Sequence, residues 1–307
     1  MKNSVLLIAF IAILSMSCSD SKKTPSGYKY TVLRKGAGEV AKPGQILIMD
    51  FMFMDGKDSV WNDSRKNDFP TMVMAQDTVP EGDGVLEIFQ LLAKGDSVTF
   101  QIPAKTLFEK TFRTSPPPGV DSTGLFTFYI GVTDIVSEER AREIQTELVA
   151  KQNEKAMKGE LEQLAKDTVL IASHLQQKAL MASATPSGIR YIITKPGKGE
   201  NARPGQTVRV NYTGYLLDGP CFDSSIESLA RANNVFNEGR KPYEPLEVML
   251  GYQQVIPGWE EALGLMNVGS KMTVFIPSTL AYGAQGRGQL IVPNSILKFD
   301  MEMLEIK

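Results

Sequence analysis

One long segment of this chain occurs twice, and that repeat limits the possible folds more than any other feature. The matched motifs, at an offset of 161 residues, are Ser26-Gly27-Tyr28-Lys29-Tyr30 with Ser187-Gly188-Ile189-Arg190-Tyr191 and Pro43-Gly44-Gln45 with Pro204-Gly205-Gln206. At an offset of 174 residues they are Lys94-Gly95 with Val268-Gly269 and Ile102-Pro103 with Ile276-Pro277. The second copy is therefore longer by the difference, thirteen residues, which lie after Ser225. Because solenoid repeats are only about 20–50 residues long, this spacing indicates tandem domains.

Each copy is rich in predicted strands. The segments Val208 to Tyr212 and Lys271 to Ile276 alternate apolar and polar residues, a pattern typical of half-buried strands. One helix is predicted in the second copy, from Gly258 to Gly269. About six short strands and one helix predict an α+β domain, in which an antiparallel sheet wraps on a short helix.

The segment between the copies is predicted to be helical. Ser137 to Ala182 contains no proline and is rich in Glu, Lys, Gln, Ala and Leu, and Ser137 is a candidate N-cap. Gly159 predicts a break into two helices, and the lone His174 is expected to be a surface or packing residue. We therefore assign residues 27–136 to a first domain, 137–186 to a helical linker and 187–307 to a second domain.

The first residues predict export from the cytoplasm. Lys2 precedes the apolar run Val5 to Leu14, which is shorter than the ~20 residues that a membrane span needs. Residues 1–17 therefore form a predicted signal peptide and residues 18–26 a tether. Cys18, at the expected cleavage point, resembles a bacterial lipobox cysteine, whose thiol is acylated and which becomes the mature N-terminus. Ordinary signal cleavage after Ser17 is the alternative.

Charge and composition exclude several functions. The net charge is −2, with 33 basic and 35 acidic residues and no block of like charge, so we expect no nucleic-acid partner. One histidine and two cysteines leave little material for a metal or haem site, so no cofactor is expected. Cys221 is expected to be a small apolar side chain on a strand.

The second copy contains six motifs whose order is informative. They are Val208-x-Val210-x-Tyr212-x-Gly214, Phe222-Asp223-Ser224-Ser225, Val255-Ile256-Pro257-Gly258-Trp259-Glu260-Glu261-Ala262-Leu263, Ala281-Tyr282-Gly283, Ile291-Val292-Pro293-Asn294 and Leu297-x-Phe299. In this order and at this spacing, the second copy resembles an FKBP-type peptidyl-prolyl cis/trans isomerase over its whole length. The resemblance implies two FKBP-like domains joined by a helical linker, of which the second is an isomerase.

The resemblance also implies a site. Trp259 would form the floor of a shallow pocket, the backbone N–H of Ile256 would receive a substrate carbonyl, and Asp223 would lie buried behind an aromatic rim. The complete set of expected site residues is Tyr212, Phe222, Asp223, Val255, Ile256, Trp259, Tyr282, Ile291 and Phe299. Because none is a histidine, cysteine or lysine, no acid–base step near neutral pH is expected.

Some positions depart from the family pattern. Gln254 stands where an acid is common, Leu246 where an aromatic is common, and the loop 285–289 is unusual, which leaves peptide preference and macrolide affinity open. The additional segment 226–245 is either a flap that contacts substrate or a surface insertion.

The first copy lacks the corresponding site residues. Asn62 replaces Asp223, Val85 replaces Trp259 and Phe51 replaces Tyr212. Residues 81–83 replace the segment 255–257, which contains the expected backbone donor Ile256. We expect this copy to keep the fold without the activity, or to retain a groove for unfolded segments.

The resemblance implies a foldase for exported, proline-containing clients. Two alternatives remain open, a peptide-binding chaperone with vestigial isomerase activity and a scaffolding lipoprotein. A macrolide is a further expected ligand. The location expected is the cell envelope, with a lipid anchor at Cys18 on the periplasmic side of a membrane or at the surface, the outer membrane being favoured. Some exported members dimerise through helices in a similar place, so a homodimer through the linker is also expected.

Overall fold

The computed structural model describes residues 21–67 and 69–307, so the predicted signal peptide and Cys18 lie outside the described residues. The chain divides into two compact units, and the division falls between Asn153 and Glu154. Each unit combines an antiparallel sheet with helices, which confirms the predicted α+β class.

The first unit is built on a sheet of seven strands, counted over the described residues. They are β1 (Ser21–Lys23), β2 (Lys29–Arg34), β3 (Ile46–Met54), β4 (Val60–Asp63), β5 (Thr71–Met74), β6 (Ser97–Pro103) and β7 (Leu125–Val136). They pair in the order β1-β2-β6-β7-β3-β4, with β5 on β3. Helix α1 (Gly84–Phe89) contributes Val85 and Ile88 to the core, and the short helix α2 (Ala104–Thr106) continues into a π-helical turn, Leu107–Thr111.

A single long helix follows the first sheet. Helix α3 (Glu138–Gln177) runs through Gly159, so the predicted break into two helices is wrong. Glycine in an exposed helical position costs only about 1 kcal/mol relative to alanine, which the neighbouring turns of a long helix offset. The predicted cap is present, because the Ser137 hydroxyl accepts a hydrogen bond from the backbone N–H of Arg140 at 3.2 Å. No helix in the described part of the chain is long and apolar enough to cross a membrane.

The second unit repeats the topology of the first. Its described strands are β8 (Ser183–Ala184), β9 (Arg190–Lys195), β10 (Thr207–Leu216), β11 (Cys221–Ser224), β12 (Leu246–Met249), β13 (Lys271–Ile276) and β14 (Leu297–Ile306). They pair in the order β11-β10-β14-β13-β9-β8, with β12 on β10. The additional segment contains helix α4 (Glu227–Ala232), and helix α5 (Pro257–Gly264) packs on the sheet, ending five residues before the predicted Gly269.

Both faces of the second sheet are covered near strand β13. Alternate residues Met272, Val274 and Ile276 point into the main core with α5. Phe275 faces the other way and is fully buried against Ile171 of α3, in a cluster that also contains Leu175 and Ile296. The C-terminal half of α3 is therefore part of the core of this unit.

Two polar contacts hold the same half of α3 in place. The buried Asp167 carboxylate accepts hydrogen bonds from the backbone N–H and hydroxyl of Ser278, at 2.7 and 2.6 Å. His174 is buried beside Phe275, and its Nδ1 lies 2.6 Å from an Asp218 carboxylate oxygen. Of the two expected roles, surface or packing, it therefore has the packing one. The turn that begins at Ser278 leads to Tyr282, so this helix supports one edge of the site described next.

Candidate active site

A cavity of about 650 Å³ opens on the second unit between α5, the strands β10, β11 and β14, and the loop after Tyr282. All nine residues expected from the sequence line it: Tyr212, Phe222, Asp223, Val255, Ile256, Trp259, Tyr282, Ile291 and Phe299. Six further residues line it, Leu246, Gln254, Arg287, Gly288, Gln289 and Leu290. The sequence had marked all of these except Leu290 as departures from the family pattern, but not as site residues.

Trp259, on the first turn of α5, forms the floor of the cavity and is only 4% exposed. Its indole meets the rings of Tyr212 and Phe299 edge-on, with centroids 4.9 and 5.1 Å apart, a favourable geometry for aromatic pairs. The helix approaches the sheet closely because residue 258 is glycine: a Cβ there would lie 2.3 Å from Cγ2 of Ile276. Pro257 suits the first helical position, where an N–H would have no partner within the helix.

The aromatic wall depends on a second glycine. Gly214 lies opposite Phe299 on the neighbouring strand, and a Cβ there would be 2.6 Å from the Phe222 ring and 2.7 Å from the Phe299 ring. The two rings meet perpendicularly above this glycine, with centroids 5.6 Å apart. Any larger residue at position 214 would displace them.

A free backbone donor borders the cavity. Within the described residues, the N–H of Ile256 donates no hydrogen bond to another protein group. The preceding loop is fixed by Glu260, whose carboxylate accepts from the backbone N–H groups of Gly251 at 2.8 Å and Gln253 at 3.1 Å. Gln254 accepts from the Met249 N–H at 2.9 Å, which ties the loop to β12. The donor is therefore held in a defined position before any ligand arrives.

Asp223 has a partner that the sequence reasoning missed. Arg240, in a short 3₁₀ turn of the additional segment, donates hydrogen bonds to the Asp223 carboxylate and, at 2.8 Å, to the Tyr212 hydroxyl. The Tyr212 hydroxyl in turn donates to Asp223 at 2.5 Å. The Asp223 side chain remains 39% exposed, so the expectation that it is buried is wrong. No local pattern marks Arg240, because its partners lie 17 and 28 residues earlier in the chain.

The additional segment is anchored by alternating cationic and aromatic side chains. The Arg240 guanidinium carbon lies 5.6 Å from the ring centroids of both Tyr212 and Tyr243. Tyr243 stacks on Phe236 at 5.5 Å, and Arg231 of α4 covers the Phe236 ring at 3.5 Å. Cation–π contacts of this kind contribute roughly 0.5–1 kcal/mol each at exposed sites. The segment is therefore attached through Arg240 to two residues that line the cavity, while none of residues 226–245 lines the cavity itself.

The local environment shifts three protonation equilibria. Burial raises the pKa of Tyr212, its hydrogen bond to Asp223 raises it further, and Arg240 opposes both effects. Burial alone would lower the pKa of Arg240, but its contacts with Tyr212 and Asp223 raise the pKa overall. Burial also raises the pKa of the Cys221 thiol, consistent with the small apolar role predicted for it. No group of acidic, histidine or cysteine residues in the described chain could hold a metal ion.

The corresponding region of the first unit is filled by its own side chains. The strand register puts Phe53 and Asn62 where the second unit has Gly214 and Asp223. On helix α1, Val85 takes the place that Trp259 has on α5. Phe53 is 7% exposed and its ring stacks on Phe128 at a centroid distance of 5.0 Å. The Asn62 side-chain oxygen is buried without a hydrogen-bond donor among the described residues.

Comparison with known proteins adds independent information. A sequence model of the family "FKBP-type peptidyl-prolyl cis-trans isomerase" matches residues 198–304. The FKBP-type peptidyl-prolyl cis-trans isomerase FkpA of Aeromonas hydrophila is 36% identical over 187 residues, which cover 58% of this chain and 63% of that protein. Outer membrane protein MIP of Legionella longbeachae is 32% identical over 194 residues, covering 62% of this chain and 76% of that protein. FK506-binding protein 2 of Candida glabrata is 41% identical over 133 residues, covering 41% of this chain and 88% of that protein. This chain thus spans less than two thirds of the first relative's length.

Proposed function

The chain belongs to the FKBP-type peptidyl-prolyl cis-trans isomerase family, and we propose that its second unit catalyses the cis/trans isomerisation of X–Pro bonds in polypeptides. The observation that carries this proposal is the cavity itself. Nine residues from six separate parts of the chain meet there, and the indole of Trp259 forms the floor. A proline ring is apolar and compact, and it fits a shallow pocket with an aromatic floor.

The reaction needs no chemical group beyond those present. The barrier of ~18–20 kcal/mol comes from amide resonance, which is lost when the bond twists. A twisted amide has less charge separation than a planar one, so the apolar walls formed by Trp259, Phe222 and Phe299 favour it. The free N–H of Ile256 would hold the substrate carbonyl beside the twisting bond, and a donor fixed in advance has no reorganisation cost during the reaction.

The polar groups of the site orient the substrate and do not transfer protons. Arg240 balances the charge of Asp223, so the carboxylate does not oppose a substrate carbonyl near Tyr212. The Tyr282 hydroxyl accepts a hydrogen bond from Arg287 at 2.9 Å and keeps its own proton free for donation to substrate. Each 1.36 kcal/mol of preference for the twisted amide speeds the reaction tenfold, so a few such contacts suffice.

We propose different roles for the two units. The catalytic unit includes the C-terminal half of α3, because Ile171 and Asp167 of that helix are buried against it. The first unit keeps the sheet and helix but has no catalytic role, because Phe53 fills the position above which the second unit's aromatic rings meet. We propose the domain assignment 27–136, 137–186 and 187–307. The core of the catalytic domain additionally includes residues of the linker.

Export and lipid anchoring at Cys18 are also proposed. They are supported by the short apolar run that precedes this cysteine and by the name of the relative Outer membrane protein MIP. We propose an envelope location, favouring the outer membrane, and exported polypeptides as clients. The mass of the mature protein tests the anchor: a diacylated or triacylated N-terminal Cys18 is expected, and an unmodified N-terminus at another residue would contradict it.

Dimerisation through α3 is proposed from its exposed apolar residues. Met157 and Leu161 are 64% and 61% exposed, and their spacing of four residues puts them on one side of the helix. Sedimentation of the wild-type protein and of the Leu161→Glu variant tests this. A concentration-dependent dimer that is lost in the variant is expected, whereas a wild-type monomer at all concentrations would contradict the proposal.

The isomerase activity is tested by exchange spectroscopy on a Leu-Pro tetrapeptide with the full-length protein. The chain has two tryptophans, which provide a matched pair of variants. Trp259→Leu is expected to lose most of the catalysed exchange, while Trp61→Leu, in the first unit, is expected to keep it. Equal activity of folded Trp259→Leu and wild-type protein would contradict the site assignment. A macrolide that occupies the same cavity is expected to inhibit competitively.

A further inference from the structure

The charges around the cavity are not balanced. Among the residues that line it, only Asp223 and Arg287 carry a charge. Asp223 is neutralised by Arg240, which is itself held by two hydrogen-bonded partners. Arg287 has no carboxylate within ion-pair distance among the described residues, and its one side-chain hydrogen bond goes to the neutral Tyr282 hydroxyl. One positive charge at the rim therefore lacks a protein counterion.

The loop around Arg287 fixes this charge at the rim. Arg287 and Ile291 form a two-way backbone bridge, with N–H to carbonyl distances of 2.6 and 3.3 Å, so the loop folds back as a tight hairpin. The flanking Gly286 and Gly288 have φ of 64° and 61°, and a Cβ at Gly286 would lie 2.3 Å from the Ile291 carbonyl oxygen. Ile291, the other partner of the bridge, is a buried wall residue of the cavity.

The guanidinium also retains donors for a ligand. It lies over the Tyr282 ring, with its central carbon 5.2 Å from the ring centroid, and donates one N–H to the hydroxyl. A guanidinium has five N–H donors in a planar fork that matches a carboxylate. The side chain is exposed, so it can meet a substrate carboxylate without displacing a protein partner.

We propose that Arg287 is a specificity-determining residue, which selects X–Pro segments with an acidic side chain next to the proline. This inference rests on the proposed isomerase function and names the class of substrate that its site prefers. Exposed ion pairs are weak, so a preference of about two- to fivefold in kcat/KM is expected, which corresponds to about 0.4–1 kcal/mol at 1.36 kcal/mol per factor of ten. Salt is expected to reduce the preference, because screening weakens exposed pairs.

The test uses full-length protein and tetrapeptides that differ only beside the proline. Glu, Gln, Lys and Leu are compared in the position before proline, and Glu with Gln in the position after it. The readout is the ratio of kcat/KM for the Glu and Gln peptides within each variant, so changes in basal activity cancel. Arg209→Gln is the charge-matched control, because Arg209 pairs with Glu305 and does not line the cavity.

The wild-type protein and Arg209→Gln are expected to favour Glu over Gln and to disfavour Lys in at least one of the two positions. Arg287→Gln is expected to bring the Glu/Gln ratio to about one, and Arg287→Glu to invert it. Equal kcat/KM for Glu and Gln peptides in the wild-type protein, or a preference that persists in Arg287→Gln, would overturn this inference alone. Absence of catalysis with every peptide would overturn the proposed function and this inference with it.

Discussion

Phe53 of the first unit and Gly214 of the second unit occupy the same register position, each opposite a phenylalanine of the last strand, Phe128 and Phe299 respectively. Phe53 fills its site and stacks on Phe128. Gly214 has no side chain, and the rings of Phe222 and Phe299 meet above it in the space that a side chain would take. At this strand position the first unit has a side chain that fills its core, whereas the second unit has a glycine beside the cavity.

Gly214→Ala is expected to lower kcat/KM about tenfold or more. A Cβ at 2.6 Å from Phe222 must displace that ring, and overpacking of this kind typically costs about 1–3 kcal/mol. Gly131→Ala is the matched control, because Gly131 is also a strand glycine and nothing lies within 4 Å of its added Cβ. Activity and urea denaturation are measured on both variants. An active, fully stable Gly214→Ala protein would show that the glycine is not required by the rings.

Arg240→Gln is expected to reduce kcat/KM by about three- to tenfold while leaving the protein folded. The substitution leaves the Asp223 charge uncompensated beside the substrate and removes a donor to Tyr212, but partial exposure of the pair limits the loss. Arg240→Lys is expected to recover part of the activity, because it keeps the charge but lacks the planar fork. Arg203→Gln removes an exposed arginine elsewhere and serves as control. Wild-type activity in Arg240→Gln would mean that the pair has no role in the reaction.

The helix α3 offers a matched pair for a stability test. Ile171→Ala is expected to destabilise the second unit by about 2–5 kcal/mol, because Ile171 is fully buried against Phe275. Leu161→Ala, on the same helix but 61% exposed, is expected to change the free energy of unfolding of the monomer by less than about 0.5 kcal/mol. Tryptophan fluorescence of Trp259 during urea unfolding reports on this unit in a Trp61→Phe background. Equal effects of the two substitutions would contradict the inclusion of α3 in the second core.

The sequence predicted which residues line the cavity where those residues belong to short motifs of fixed spacing. Phe222 with Asp223, and Val255 with Ile256 and Trp259, each lie on one element and its flanking turn, so local spacing determines their relative positions. Their meeting in one cavity followed from the resemblance in the order of the motifs. The α+β class followed from strand alternation together with the one helix predicted in the second copy.

The residues that the sequence did not predict are those whose partners are distant. Arg240 lies in a segment without a periodic pattern and reaches back 17 residues to Asp223. Asp167 lies on a helix that was interpreted as a linker, although its partner Ser278 is 111 residues away. The helix break predicted at Gly159 is absent, because the free-energy cost of one glycine in a helix is small compared with the cooperativity of a long helix.

The activity and the stability of the protein are expected to depend differently on pH. Because no residue assigned to the site is a histidine, cysteine or lysine, kcat/KM is expected to be flat between about pH 6 and 8. At alkaline pH the free energy of unfolding is expected to fall. Burial raises the pKa of Tyr212 in the folded protein above the value near 10 that an unfolded tyrosine has. Above about pH 10 the unfolded chain therefore loses a proton that the native state keeps. The free energy of unfolding then declines by up to about 1.4 kcal/mol per pH unit for each such group.

Urea unfolding of wild-type protein and Tyr212→Phe at about pH 9, 10 and 11 measures whether the free energy of unfolding falls as the pH rises. Burial also raises the pKa of Tyr30 and Tyr215, so a residual decline is expected in the variant, with a smaller slope than in the wild type. An identical slope in both proteins would mean that Tyr212 ionises equally in the folded and unfolded states. A bell-shaped rate profile between pH 6 and 8 would instead require a proton-transfer group that the cavity lining does not contain.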